Sequence, residues 1–591
     1  MTEDHVYQDV VWHRIVLCAI GITQGVLAYV ISRPEMQSVD RTLLISFSLF
    51  TWSAPVVAVL TVKRDSWAAD LLFSLILGFI TAMLYKIGID FLNGGTHFYY
   101  FSNYSPKFFL VYAFSFLLLM LIPMPFYQTA RREGRFVFPY QQLFSNAWTN
   151  ILAFKIASFF VCINWLIISL WGSLFKLIGI TLFADLFQTT WWRFTFTCAM
   201  FALGVALARE RVTIIQALLK LILALFRILA PALAAASVLF LISLPFTGLE
   251  ILWNTKIAAP ILLSAIFFTI LFQNAAIQTA ETVEAFWRPA EWLVMAANIA
   301  MPALALLAGW GILLRVDQYG WTPDRSYLML VTGVAFAYAL AYGGSVLVKR
   351  QSWADGIIRC NPTLALVVLG LAILIHVPPL QPNSFSAKDQ LARLRDGRIS
   401  PDQFDFAFLK FKLGWAGQQA LQTIENDPKL MTNTVIVEGL NRIKTANNYL
   451  ASRYQAKQKT SMADLHDLAT YMDAFPAGQA PPPNAVKFAI KTKAFVFNAC
   501  HTQPKLNPQR CIYFNVDLNK DGRTDFLIFS KQMNIHIFLQ QADSGWTQGP
   551  YLTADPKARG QMKLLTALKN ADIKLKPHEL QDLIIGGVRF K

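Results

Sequence analysis

Residues 212–246 read VTIIQALLKLILALFRILAPALAAASVLFLISLPF, with Lys220 and Arg227 as their only charges. A helix crossing a hydrocarbon core of about 30 Å uses roughly 20 apolar residues. As one helix this stretch would run about 50 Å at 1.5 Å per residue, too long for one span. Lys220, Arg227 and Pro231 therefore predict an interfacial elbow helix followed by a span. Working outward, apolar runs of spanning length begin near Ile15, Leu43, Ala69, Phe108, Ile151, Phe194, Ile228, Ala258, Glu291, Ser326 and Thr363. Only helices and closed barrels satisfy their own backbone hydrogen bonds in lipid, and runs this long and continuous exclude a barrel. The expected fold is an all-α polytopic membrane bundle of about eleven transmembrane helices, followed by a soluble α+β C-terminal domain.

Composition agrees. Of 591 residues 55% are hydrophobic and 15% charged, where a soluble domain carries about 25% charged; the mean hydropathy is +0.42. The apolar excess ends at Leu380, and from Gln381 the chain reads as an ordinary soluble protein. The expected domains are a bundle over 1–380, a helical extracytoplasmic segment over 381–475 and a β-rich extracytoplasmic domain over 476–591. The first run, Ile15–Ile31, follows a polar start without a small-residue cleavage site, so it reads as an uncleaved span.

Lys and Arg in short loops set orientation. Lys63-Arg64, Arg131-Arg132 with Arg135, Arg209 with Arg211, and Lys349-Arg350 with Arg359 fall on alternate joints. The joints between them are balanced or sparse. This predicts a cytoplasmic N-terminus and, after an odd number of spans, an exported C-terminal domain. Glu3, Asp4 and Asp9, and the Glu281, Glu284 and Arg288 joint, run against the pattern, but acidic residues weigh little in it. The formal charge of +16 then belongs to the membrane signal, and no basic patch suggests nucleic acid. Cys18, Cys162, Cys198 and Cys360 lie in or beside spans, leaving Cys500 and Cys511 in the exported part. There they are expected to form a disulfide; the rival is a metal site with His501, which lacks a fourth ligand.

Transport usually shows as ionisable residues deep in spans. Lys86, Lys155, Glu291 and Arg315 all sit near span ends, where long side chains reach the interface. Asn164, Gln273, Asn274 and Asn298 lie deeper and read either as interhelical hydrogen bonds or as a substrate path. Residues 173–187 carry Phe175, Ile178, Leu182 and Leu186 on one helical face, expected to lie in the outer interface as a lid. A short repeat joins Lys63-Arg-Asp-Ser-Trp-Ala68 to Lys349-Arg-Gln-Ser-Trp-Ala354.

In the soluble part, residues 384–472 read as helices, with a break at Leu394–Gly397 and a new start capped at Ser400-Pro401-Asp402. Residues 476–483, PAGQAPPP, form a stiff linker. Strands are expected at 494–498, 512–516, 526–530, 535–540 and 583–590. Between two of them lies Asp517-Leu-Asn519-Lys-Asp521-Gly522-Arg523-Thr-Asp525. Oxygen donors at positions one, three, five and nine, with the Arg523 carbonyl at seven and Gly522 at the turn, follow the calcium-loop pattern. Ca2+ is thus the candidate cofactor; Ile528 at position twelve departs from an EF-hand, and the structural alternative is an Asp- and Gly-rich hairpin turn.

Several stretches resemble one bacterial membrane family, domain-of-unknown-function family 4153: Leu174–Ile180, Ala206–Glu210, Tyr319-Gly-Trp-Thr-Pro-Asp-Arg325, and Gln390–Leu394 with Phe404-Asp405 and Leu413-Gly414. The resemblance implies a bacterial inner-membrane protein and brings no activity or site residue with it. The expected topology puts Asp317, Tyr319, Asp324 and Arg325 at the outer surface, as a structural clasp or a ligand site.

No Ser-His-Asp or Cys-His set, phosphate-binding loop or dinucleotide fingerprint occurs. Three hypotheses follow. The first is a non-enzymatic envelope sensor or scaffold with an external ligand- or calcium-binding domain, whose partners are the bilayer and envelope proteins or lipids. The second is a transporter or lipid-handling protein, and the third an enzyme on a lipid-linked substrate. A polar cavity lined by Asn164, Asn274 and Asn298 would favour transport. A pocket holding Asp317, Asp324 and Arg325 would favour chemistry. A sealed bundle leaves the first.

Overall fold

The computed structural model describes residues 3–93, 106–255, 257–277 and 287–446, and after these 449, 472–475, 482, 484–486, 488–489, 511–518, 520–529, 534–542, 545–553, 573–576, 582–585 and 588–590. The first helices are α1 (Glu3–Ile31), α2 (Arg41–Thr61), α3 (Trp67–Asn93), α4 (Pro106–Leu121), α5 (Pro123–Glu133) and α6 (Tyr140–Leu177). After them come α7 (Leu182–Gln188), α8 (Thr190–Glu210), α9 (Val212–Thr247), α10 (Glu250–Asn254) and α11 (Ala258–Ala276). The bundle closes with α12 (Arg288–Tyr319), α13 (Pro323–Lys349) and α14 (Trp353–Leu374). Among the described residues, eleven helical stretches are long and apolar enough to cross a membrane, α4 and α5 contributing one between them. Each corresponds to one of the eleven runs read from the sequence. Their outward faces are apolar, with Phe79, Leu166, Ile228 and Leu239 all more than 60% exposed. Lipid is the only solvent that suits such a surface.

The bundle has two main cores. One gathers Leu17, Val57, Leu60, Met124, Ala157, Ala202, Val205 and Ile215 from the first half of the chain. The other gathers Ala234, Ile266, Met301, Ala308, Tyr342 and Trp353 from the second. The expected elbow is absent: α9 is a single 36-residue helix through Pro231. Its reason lies in those cores. Ile215 packs in the first and Ala234 in the second, so both halves are held by neighbours. A proline inside a membrane helix is tolerated under such support.

Residues 173–187 also differ from expectation. They do not form one helix. Gly179, at φ +82°, breaks the chain after α6, with Ile180 N–H bonded to Phe175 O. This is how a helix C-terminus commonly closes on glycine. The seven residues of α7 fold back so that Phe183 meets Phe175 at 4.6 Å between ring centroids. The short repeat takes a 3-10 turn before a helix in both copies, although the backbone differs, Lys63 being extended and Lys349 helical. A 3-10 turn at Arg64–Ser66 leads into α3, and one at Arg350–Ser352 leads into α14. Their tryptophans differ: Trp67 is 56% exposed and Trp353 fully buried.

Beyond the bundle lie α15 (Pro382–Arg395), α16 (Phe406–Lys412), α17 (Gly414–Glu425), α18 (Pro428–Met431) and α19 (Thr434–Thr445). The break after Arg395 occurs where expected, at Gly397 with φ +69°. The expected start at Ser400 does not. Residues 400–403 form a turn, and Asp405 caps α16 by accepting Phe408 N–H at 2.9 Å. Ser-Pro-Asp suits a turn as well as a cap. Phe404, Phe406, Leu409, Phe411 and Leu413 are buried together there. The chain divides into two compact units, Met1–Leu440 and Asn441–Lys591, so most of this helical segment belongs with the bundle.

The second unit contains β1 (Met472–Phe475), β2 (Cys511–Val516), β3 (Asp525–Phe529), β4 (Asn534–Gln540) and β5 (Trp546–Thr553), in one sheet in that order. The β1–β2 pair is parallel and the others antiparallel. A second sheet holds β6 (Ile573–Lys576), β7 (Asp582–Ile585) and β8 (Val588–Phe590). Tyr513, Phe526, Ile528 and Phe538 pack with Ala485 and Ala489. Three expected strands appear as β2, β3 and β4. Residues 583–590, read as one strand, are two antiparallel ones, with Gly586 and Gly587 between them in sequence. β1 begins within the stretch read as helical, before the proline-rich linker. The expected strand at 494–498 lies outside the described residues, as does Cys500, so the expected disulfide with Cys511 does too. Cys18, Cys162, Cys198 and Cys360 are free thiols.

Candidate functional site

An α-helix ends with up to four carbonyls that have no partner within it. At the end of α12 those carbonyls are capped from a distant part of the chain. Arg393 of α15 donates from Nη2 to Asp317 O at 2.9 Å and from Nη1 to Val316 O at 3.4 Å. Gln390 Nε2 reaches Tyr319 O at 3.3 Å and Trp321 O at 3.2 Å. Ser386 Oγ donates to Trp321 O at 2.8 Å, and Asp389 Oδ2 accepts Trp321 N–H at 2.8 Å. Arg325 adds a bond to Gly320 O and lies 5.5 Å over the Tyr319 ring. Thr322 and Pro323 then start α13, as a cap and a first-turn proline do. Two arginines at a helix C-terminus also complement its dipole.

Of the predicted outer-surface set, Tyr319 and Arg325 are thus brought together, while Asp317 and Asp324 stay exposed. The residues that complete the clasp, Asp389, Gln390 and Arg393, were not foreseen in that role. In the sequence, Gln390–Leu394 carries a family resemblance and no sign of this contact. Nothing in sequence separation links residue 390 to 320.

Of the deep polar residues, Asn274 lies in a network that joins helices. Tyr140 OH donates to Asn274 Oδ1 at 2.8 Å, and Asn361 Nδ2 reaches the same oxygen at 2.6 Å. Asn274 Nδ2 bonds Tyr342 OH at 2.8 Å, and that hydroxyl donates to Asn361 Oδ1 at 2.7 Å. Four helices, α6, α11, α13 and α14, are stitched by this ring. Asn164 bonds Phe160 O on its own helix at 2.8 Å. Asn298 is fully buried, and its side-chain amide has no partner among the described residues. The same holds for the Gln273 amide, so of the four only Asn274 forms interhelical ties.

Sequence reasoning also missed two buried groups. Asp70, 3% exposed, accepts from Ser66 Oγ at 2.5 Å, Lys63 N–H at 3.1 Å and Tyr127 OH at 2.7 Å, with Arg131 Nε at 4.0 Å. Part of the cationic joint signal is therefore internal structure. His376, fully buried, has Nε2 3.1 Å from Ser115 Oγ. Ser115 Oγ also reaches Tyr112 O at 2.9 Å and Tyr85 OH at 3.2 Å. Burial holds this histidine at about 4, well below its usual range, so it is neutral near pH 7.

In the second unit, the acidic loop closes on its own backbone. Asp517 accepts the N–H groups of Asp521 at 3.2 Å and Gly522 at 2.9 Å. Asp521 accepts Arg523 N–H at 2.9 Å and pairs with its side chain at 3.3 Å. Lys520 and Gly522 take positive φ, +58° and +81°. Asp525 is fully buried and accepts Leu518 N–H and Gln540 N–H, each at 3.0 Å, tying the loop to β4. Asn519 lies outside the described residues. Carboxylate oxygens that accept amide protons keep further lone pairs, so Asp517 and Asp521 remain chemically able to hold a cation.

Asp525 gives a testable consequence. Burial raises its carboxyl above the usual range; the Leu518 and Gln540 amides oppose that, and Asp521 and Asp517 add to it. A carboxyl raised in the folded state binds protons more tightly there than in the unfolded chain. Its contribution to stability is full below the ordinary carboxylate range and is lost as pH rises through the folded pKa. Hydrogen exchange of β3 in the full chain should therefore slow as pH falls from neutrality, after correction for intrinsic rates. Asp525→Ala should remove that dependence and cost about 2–4 kcal/mol, because two amides lose their acceptor.

No family profile, curated protein or solved structure matches this chain.

Proposed function

We propose that this chain is a non-enzymatic scaffold of the bacterial inner membrane, a member of the 4153 family, that mounts its C-terminal part on the membrane surface. In this reading the N-terminus is cytoplasmic and the part after Leu380 is exported. Cys500 and Cys511 form a disulfide, and the loop at 517–525 is a calcium site for recognising envelope partners. Asp517, Asn519, Asp521 and the Arg523 carbonyl would hold the ion, with Asp525 fixing the loop from behind. The supporting observation is the clasp: α15 satisfies the exposed end of α12 and so fixes the first segment after the bundle rigidly to it. The asparagines that would mark a substrate path bond other helices or their own instead, with Asn298 the exception.

The test has two arms. A reporter fused after Lys591 is expected to be active only outside the cytoplasm, and full-length protein in proteoliposomes should pass no more solute or lipid than empty vesicles. Cytosolic activity would reverse the orientation, and measured flux would move the reading to a transporter. Calorimetry of the full chain with calcium should give heat and a raised melting temperature; neither would remove the ion.

A further inference from the structure

Beside the clasp, the surface of α13 and α14 carries an apolar groove. Its wall is the first turns of α13, with Ser326, Met329, Leu330, Gly333 and Val334, facing Leu371 of α14. Trp321 and Phe385 also line this open groove, their rings 5.1 Å apart and edge to face. The cavity holds about 440 Å³, within the usual range of small-molecule sites, roughly 300–1,000 Å³. From Ser326 to Val334 it follows about 12 Å of helix at 1.5 Å per residue, most of one leaflet of a roughly 30 Å core.

Three observations identify the occupant. The lining is almost wholly apolar, which selects a hydrocarbon over a polar solute. The cavity lies along two membrane-crossing helices whose neighbouring residues, Val331, Leu366, Val367 and Leu374, are exposed to lipid, so it is continuous with the bilayer. At the Trp321 end, the half-exposed Arg325 precedes the lining residue Ser326 and donates to Gly320 O, next to Trp321 in the chain; its guanidinium is suited to a lipid phosphate. Gly333 supplies the room. The glycine is exposed, and a Cβ built there meets nothing within 4 Å.

We propose that this groove binds one acyl chain of a membrane phospholipid, with its phosphate at Arg325. The bound lipid lies against Phe385, so the segment after the bundle rests on lipid as well as on protein. The proposal does not depend on the scaffold reading, since an enzyme or transporter with this groove would hold the same lipid.

Native mass spectrometry of the full chain, released from nanodiscs of phosphatidylethanolamine and phosphatidylglycerol, tests it. One retained phospholipid per chain is expected, falling at least tenfold in Gly333→Leu, whose side chain fills the groove. Val331→Leu, on the lipid-facing side of the same helix, should retain it. No retained lipid on the unsubstituted chain, or equal retention by Gly333→Leu, overturns the proposal. A phospholipid with a photoreactive acyl chain gives a second measurement that needs no substitution. Cross-links should concentrate on residues 321–334, 371 and 385, and an even spread over all lipid-facing helices would overturn it.

Discussion

Replacing Gly320 with alanine should release α15 from the bundle. Gly320 follows α12 at φ +75° and ψ 175°, a region open essentially to glycine alone, where another residue costs about 1–3 kcal/mol. The added Cβ would also lie 2.5 Å from Gln390 Nε2, 2.8 Å from Asp389 Oδ2 and 2.9 Å from Arg393 Cδ. Those side chains are flexible at their ends and can move aside. Moving them, however, breaks the bonds to the carbonyls of 317, 319 and 321 and to Trp321 N–H. Each such bond is worth about 0.5–1.5 kcal/mol, more where a buried group is left unmet. The sum is about 3–5 kcal/mol, large enough to populate a detached α15. Thiol labelling of Ser386→Cys, slow in the parent, should become fast when Gly320→Ala is added. Gly344→Ala, where a Cβ meets nothing within 4 Å, should leave it slow. Equal labelling in all three would mean that the clasp does not hold α15.

The clasp also shows where sequence reading stops. The spans were legible because lipid imposes one rule on every residue of a crossing helix: length and apolarity suffice, and neither needs a partner. The same rule failed at residues 212–246, where Lys220, Arg227 and Pro231 gave a local reason to break the helix. Ile215 and Ala234 overrule it by packing into different cores, and that is tertiary information. The run at 319–325 stood out because Gly, Thr and Pro are turn and cap residues, again a local signal. Its partners 386–393 could not be read in advance, since polar residues on a short helix look alike whether they meet water or another segment's carbonyls. Asp70 and His376 were passed over for a similar reason. Near a span end a carboxylate or imidazole reads as interfacial, and only the fold reveals that it is buried. In the second unit alternation gave β2, β3 and β4. It missed β5, whose Gly549 and Pro550 lower strand propensity.

The largest effect on the bundle itself should come from Gly25→Val. Gly21 and Gly25 sit one turn apart on α1, four residues from each other, and share a face with the buried Leu17 and Ala28. That face lies on α8. A Cβ at Gly25 would stand 2.4 Å from Thr195 Cα and 2.8 Å from Phe194 O; one at Gly21 would stand 2.5 Å from Cys198 O and 2.8 Å from Ala202 Cβ. Small residues at this spacing let membrane helices approach backbone to backbone, where close packing replaces the hydrophobic drive that lipid removes. Arg14 pairs with Glu210 farther along the same interface, at 2.6 Å. Ordinary overpacking costs about 1–3 kcal/mol because side chains can yield. Here the obstacle at Gly25 is main chain, which cannot yield without parting the helices, so the cost lies at or above the top of that range. Gly25→Val is expected to lose most monodisperse protein on size exclusion in detergent, and Gly21→Ala to lower the melting temperature without abolishing folding. Ile22→Leu, on the lipid side with 46% exposure, should behave as the parent. A fully folded, thermally unchanged Gly25→Val would show that α1 and α8 do not meet along this face, and the first core would have to be assembled differently.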